Sequence, residues 1–291
     1  MIISASYKTD IPAFYGEWFR NRLRAGSCQM RNPYNRAVIE VPLTRGAVDG
    51  FVFWTKNLEP FVDVLEEVHA RGDPFVVQYA INGYPLSLEH SVTDAARSVR
   101  HMRWLRERFG PKAAVWRYDP IVFSSQTPAG FHRANFEALA RELEGSTDEV
   151  VVSFAQIYRK TKINLDAAAR QSGFTWEDPP DEVKLALAAE LVAIAESRGM
   201  KLTICSQRGY LVAGAADAAC IDVRRLEAVA GRPIVAGKKG HRPECGCAAS
   251  RDIGDYDTCP HGCAYCYAVQ NHERARECWA RHDPEGECLV V

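Results

Sequence analysis

No apolar run in the 291-residue chain approaches the roughly 20 residues that a bilayer-spanning helix needs. Nor does Met1-Ile2-Ile3-Ser4-Ala5-Ser6 offer the charged segment and long apolar stretch of a secretory leader, so a cytoplasmic protein without a membrane partner is expected. Charge of one sign is lacking too. The 36 Lys and Arg nearly balance the 37 Asp and Glu, and no global basic field recruits nucleic acid. A glycine-rich phosphate loop is missing after the first apolar strand, which counts against a dinucleotide fold. There is no internal repeat and no low-complexity segment.

The chain does have short β-rich runs, each followed by a helical pattern. Strands are expected at Ile2–Ser6, Phe51–Trp54, Phe75–Ile81, Ala113–Tyr118, Val150–Phe154 and Lys201–Cys205. Helices are expected at Ile11–Arg24, Leu58–Ala70, within Ser87–Phe109, from Thr127 to Leu143, at Lys162–Gln171, Pro180–Arg198 and Val269–Arg281. Asp10 and Asn57 are placed as N-caps, and Val38–Val41 is a short extra strand. Strands alternating with helices imply a parallel sheet with right-handed crossovers. Six units predict a partial, six-stranded relative of the eight-stranded α/β barrel, with a flat doubly wound sheet as the alternative. The division is residues 1–230 for the barrel and 231–291 for a cysteine-rich, metal-binding tail packed over its mouth.

The C-terminal ends of barrel strands carry the chemistry in such folds, and here they are polar. They hold Ser4 and Ser6, Lys56 and Asn57, Gln78, Arg117 and Asp119, Ser153 and Tyr158. Lys56 and Arg117 suit a carboxylate or phosphate, and Asp119 an amine or a ribose hydroxyl. Lys56, Arg117, Asp119 and Tyr158 are the candidates for catalysis. Ser4, Ser6, Asn57, Gln78 and Ser153 are the candidates for holding a cofactor. Each alone reads as an ordinary strand-end contact; together they point to one pocket.

Ten cysteines are many for a cytoplasmic chain, and seven lie from residue 245 onward. Disulfides are rare in that compartment, so clustered cysteines favour metal. In Cys259-Pro260-His261-Gly262-Cys263-Ala264-Tyr265-Cys266 three thiols stand at spacings of four and three. Three thiolates so placed reach three corners of one 4Fe–4S cube and leave the fourth iron open. A tetrahedral zinc site from Cys259, His261, Cys263 and Cys266 is the competing reading. Cys205, Cys220, Cys245 and Cys247 form a second set that fits a second iron–sulfur cluster or a zinc ion. Cys28, Cys278 and Cys288 are taken as ordinary thiols, although Cys278 or Cys288 is an alternative member of that second set.

The CxxxCxxC spacing resembles that of the radical S-adenosylmethionine (SAM) superfamily, although there the motif usually follows the first strand. The stretches Ile3-Ser4-Ala5-Ser6, Thr9-Asp10-Ile11-Pro12, Arg31-Asn32-Pro33, Phe53-Trp54-Thr55-Lys56-Asn57, Trp116-Arg117-Tyr118-Asp119-Pro120 and Asp252-Ile253-Gly254 are similar to a bacterial family of unknown function. That family carries the motif at its C-terminus and is distantly similar to spore photoproduct lyase. The resemblance implies an enzyme with a 4Fe–4S cluster on Cys259, Cys263 and Cys266, SAM on the open iron, and Tyr265 packed against adenine. A donor such as flavodoxin or ferredoxin would reduce the cluster, and a 5′-deoxyadenosyl radical would take a substrate hydrogen. A small-molecule or nucleotide-like substrate is expected, with sulfur insertion from the auxiliary cluster as one outcome. The alternatives are nucleic-acid lesion repair, disfavoured by the near-neutral charge, and a zinc-stapled, non-enzymatic binding protein.

Overall fold

The computed structural model describes residues 1–32, 35, 37–240 and 242–290. Pro33 of the Arg31-Asn32-Pro33 stretch, and His241 and Val291 of the expected tail, lie outside the described residues. The chain runs β1 (Ile2–Ala5), α1 (Ile11–Phe14), α2 (Gly16–Ala25), β2 (Ser27–Arg31), β3 (Val38–Pro42), β4 (Gly50–Thr55) and α3 (Val62–Ala70). It continues through β5 (Phe75–Ala80), α4 (Ala95–Phe109), β6 (Ala114–Ile121), β7 (Phe123–Ser124), α5 (Ala129–Leu143), β8 (Glu149–Phe154) and α6 (Arg159–Ser172). It ends with β9 (Trp176–Glu177), α7 (Asp181–Ser197), β10 (Lys201–Ile204), β11 (Ala216–Asp217), α8 (Val223–Ala230), β12 (Ser250–Asp252) and α9 (His272–Ala280).

All six expected strands are present. The main sheet has eight, because β11 and β12 extend its edges, in the order β11-β10-β8-β6-β5-β4-β1-β12. Every pairing in it is parallel. From β1 to β11 the order never reverses, which removes the doubly wound alternative, since that fold needs a switch point. The two edge strands do not pair with each other, so no closed barrel is formed among the described residues. Val38–Val41 does form a strand, β3, but it pairs antiparallel with β2 outside the main sheet.

Alternation along the strands separates two faces. Ile3, Phe51, Phe53, Phe75, Val77, Trp116, Val150, Val152 and Leu202 point to one face and pack beneath the helices. Ile2, Val52, Val76, Val115 and Val151 point to the other, where α8, Ile234, Cys247 and Ala248 cover them. Residues after 231 therefore complete the sheet in two ways. They cover its second face, and β12 adds a strand beside β1.

The expected helix Ile11–Arg24 is two helices, α1 and α2, broken at Tyr15. Gly16 lies so close to Phe61 that a Cβ there would stand 3.0 Å from its ring. Asp10 does cap α1, accepting the Ala13 N–H at 2.9 Å. The Asn57 side chain accepts the N–H of Glu59, at 3.2 Å, ahead of a short 3₁₀ turn, and so caps no α-helix.

Candidate functional site

Because all eight strands are parallel, their C-terminal ends share one edge. Along it the inward-pointing residues change from aliphatic to polar. Ser4 accepts the Trp54 indole N–H at 3.0 Å and donates to Asp252 at 2.8 Å. Ser6 donates to the other Asp252 oxygen at 2.8 Å. Lys8 reaches Asp252 at 3.4 Å and the Gly254 carbonyl at 3.2 Å. Asp252 closes β12, so this buried network fixes the late strand to the first.

In the middle of the edge, Arg117 lies over the Trp54 ring at 5.0 Å and donates to Gln78 at 3.2 Å. It also pairs with Asp119, which in turn accepts from Ser153. Burial alone would raise the Asp119 pKa, but the neighbouring Arg117 and the Ser153 hydroxyl hold it below the usual carboxylate range. Arg117 stays a cation for the reciprocal reason, with Asp119 overriding burial.

The Cys259–Cys266 segment docks at the ends of β1, β4 and β5. Ala264 N–H donates to the Leu88 carbonyl at 2.9 Å, and Ser91 N–H to the His261 carbonyl at 2.9 Å. Cys259 and Cys266 both raise the pKa of Cys263, and Cys266 that of Cys259, but burial is the main reason that Cys259 is pushed up to about 12. Backbone N–H groups of His261 and Asp10 point at the Cys259 sulfur, and those of Ala268 and Val269 at Cys266. Such donors suit thiolates that ligate a cation. Beside Cys263, Lys56 pairs with Glu89 at 2.7 Å, and Glu89 also accepts from Asn82 at 3.0 Å and from Tyr265.

His261 bears on the zinc reading. Its Nε2 meets the Asp10 carboxylate at 2.7 Å and its Nδ1 the Ser91 carbonyl at 3.0 Å. Both ring nitrogens are committed to protein acceptors, so His261 is a strut of the loop rather than a fourth ligand. Tyr265 is likewise built in. Its hydroxyl meets Glu89 and Asn82, and its ring stands edge-on to Tyr84 with centroids 5.9 Å apart.

The second cysteine set converges at the other end of the same edge. Cys205 follows β10 and Cys220 follows β11, and their sulfurs are 3.6 Å apart. Cys247 hydrogen-bonds with Cys220 and with Cys245. Cys278 and Cys288 are not part of it, since Cys278 lies on α9 and Cys288 beside Gln29 of β2. Among the described residues no three His, Cys, Asp or Glu side chains already surround one ion-sized point. The four thiols form a hydrogen-bonded chain.

Ser4, Ser6, Lys56, Gln78, Arg117, Asp119 and Ser153 thus share the edge that carries both thiol sets. Tyr158 stands apart. It is 45% exposed at the start of α6 and bonds only locally, to Gln156. Asn57 shapes the turn after β4. Sequence reasoning missed Asn82, Glu89 and Arg242. The first two lie in the long connection after β5, and only their buried polar chemistry, invisible in one dimension, marks them.

No curated protein matches the chain. Among solved structures, a D-hydantoinase crystal structure aligns at 11% identity and a TM-score of 0.31, a likeness too slight to bear on function. The alignment covers 70% of this chain and 41% of that one, so the match spans about two fifths of the hydantoinase. Residues 2–268 match the family described as a domain of unknown function, DUF1848, and the chain belongs to that family.

Proposed function

We propose that the chain is a radical SAM enzyme in which Cys259, Cys263 and Cys266 hold a 4Fe–4S cluster and leave one iron for S-adenosylmethionine. We read the singly wound sheet as part of an α/β barrel, with residues 1–230 as its body and 231–291 as the cysteine-bearing cover. The donor set fits the group: one buried and two half-buried thiols, backbone N–H groups aimed at two of the sulfurs, and the nearby His261 occupied elsewhere. Held there, cluster and SAM would supply hydrogen-abstraction chemistry, given one electron from a flavodoxin or ferredoxin.

The protein's own residues bind and orient. Lys56 and Arg117 are cations held at the strand ends, suited to a carboxylate or phosphate, and each is already balanced by an acid, buried Glu89 for one and half-buried Asp119 for the other. Asp119 stays ionised and offers an acceptor for an amine or a ribose hydroxyl. Ser4, Ser6, Gln78 and Ser153 complete the polar wall. The substrate class is a small, nucleotide-sized molecule. The observation that best supports this reading is the docking of the cysteine loop against the same edge as that wall, through the Asp10–His261 contact.

The test is anaerobic reconstitution with iron and sulfide, followed by quantification of 5′-deoxyadenosine from SAM and a reductant. Absorption at roughly 400 nm and SAM cleavage are expected together, and Cys263→Ala should abolish both. Undiminished cleavage in that variant would overturn the proposal.

A further inference from the structure

We infer that the cleft between the α1–α2 junction and the end of α9 is a binding site for a small organic ammonium ion with an apolar tail. None of the polar strand-end residues lines this cleft. The inference therefore stands whether or not the radical SAM reading holds.

The cleft has a volume of about 350 Å³ and is walled by Phe14, Tyr15, Trp18 and Trp279, with Glu17 and His282 among them. That size falls within the range of small-molecule sites, which pair mostly apolar walls with a few polar groups. Phe14 and Trp279 stand edge-on with ring centroids 5.7 Å apart, and Tyr15 and His282 do so at 4.7 Å. Tyr15 and Trp18 are buried, whereas Trp279 is 46% exposed. One wall thus belongs to the core, and the other faces solvent.

The hydrogen-bond inventory selects the ligand. Every side-chain N–H and O–H of these residues is already given to a backbone carbonyl. Tyr15 donates to Thr258 at 2.6 Å, Trp18 to Gly286 at 2.9 Å, and Trp279 to Phe14 at 3.2 Å. His282 donates from Nδ1 to Leu289 at 2.8 Å, and burial lowers its pKa, which favours the neutral ring. Its Nε2 is then a bare lone pair. That nitrogen is buried and has no partner among the described residues.

Charge points the same way. No described Lys or Arg lines the cleft, so the Glu17 carboxylate is its one full charge. The side chains offer a carboxylate, a lone pair and aromatic rings. The first two call for a cation with N–H donors, and the ring faces attract a cation as well. An ammonium head meets these needs, and an alkyl or aryl tail fills the aromatic part. A carboxylate or phosphate would find no side-chain donor and would face Glu17.

The experiment titrates the full chain by calorimetry with 2-phenylethylammonium. The neutral 2-phenylethanol and the anionic 3-phenylpropanoate serve as comparisons of similar size. Saturable one-to-one binding of the ammonium is expected, with each comparison weaker by about tenfold or more. Trp279→Ala should weaken the ammonium by about tenfold, and Glu17→Gln by about threefold. Both positions are exposed, so both variants should melt with the wild type. The three probes are compared on the wild-type chain and need no variant. No saturable heat from the ammonium up to millimolar concentration would overturn the inference. Equal binding of the alcohol or the acid, or an unchanged affinity in Trp279→Ala, would do the same.

Discussion

Arg117 touches Cys220 through one guanidinium nitrogen and Asp119 through the other. Asp119 also feels Arg242, and Lys56 feels both Asp119 and Cys263. One buried acid therefore stands between the cations that serve the two thiol sets. Any substrate entering this edge meets that acid with a cysteine-bearing segment on either hand.

Replacing Arg117 with Gln should be costly. Its side chain is 7% exposed, and its loss leaves the half-buried Asp119 carboxylate with the Ser153 hydroxyl and the more distant Arg242 and Lys56. Removing one partner of such a pair costs about 3–5 kcal/mol, read as a lower urea midpoint at unchanged slope. Arg117→Lys keeps the charge but not the two-armed reach, and should lose less.

Acid should destabilise the protein through His132. The ring is buried, accepts the Tyr118 hydroxyl proton at Nδ1 and donates from Nε2 to the Val122 carbonyl, so it is held neutral. Burial lowers its pKa to about 4 from the usual 6.5. Below about pH 6.5 the unfolded chain takes up a proton that the folded chain refuses, so stability falls from there to about pH 4 and then levels. The loss is about 3 kcal/mol. Denaturation midpoints of wild type and His132→Gln across that window should converge as the pH drops.

Gly246→Ala should loosen the second thiol set without touching a sulfur. The added methyl meets backbone, which cannot swing aside as a side-chain tip can. Overpacking of this kind costs about 1–3 kcal/mol, read as a lower urea midpoint at unchanged slope. Gly237→Ala, with open space around its Cβ, serves as the control.

Asp252→Ala should free the late segment from the sheet. Asp252 accepts from Ser4, Ser6, the Tyr7 N–H and the Gly254 N–H, and pairs with Lys8. Leaving a buried lysine unpaired costs about 3–5 kcal/mol. Limited proteolysis should then cut between residues 231 and 258 while the rest of the sheet persists.

The six main strands were legible because each is a run of aliphatic and aromatic residues covered on both faces. Strands β11 and β12 were not. Ala216–Asp217 and Ser250–Asp252 have no strand composition, and they pair only because tertiary contacts, above all those of Asp252, hold them at the sheet edges. The thiol sets and the polar strand ends were legible from residue chemistry and the parallel topology. The chain of contacts in the second set was not, since no sequence separation among residues 205, 220, 245 and 247 fixes which sulfurs meet. His261 looked like a candidate zinc ligand until its two acceptors, Asp10 and Ser91, were found on remote elements.

The pairing of β12 with β1 joins residues 248 apart, Ser4 with Asp252. During synthesis the first strand leaves the ribosome long before its late neighbour exists, and contacts of such span form last. The cysteine loop that follows β12 closes against Leu88, Ser91 and Asp10, all of which are made long before it. Docking of the late segment is thereby postponed to the finishing step of folding, when most of the sheet is already made.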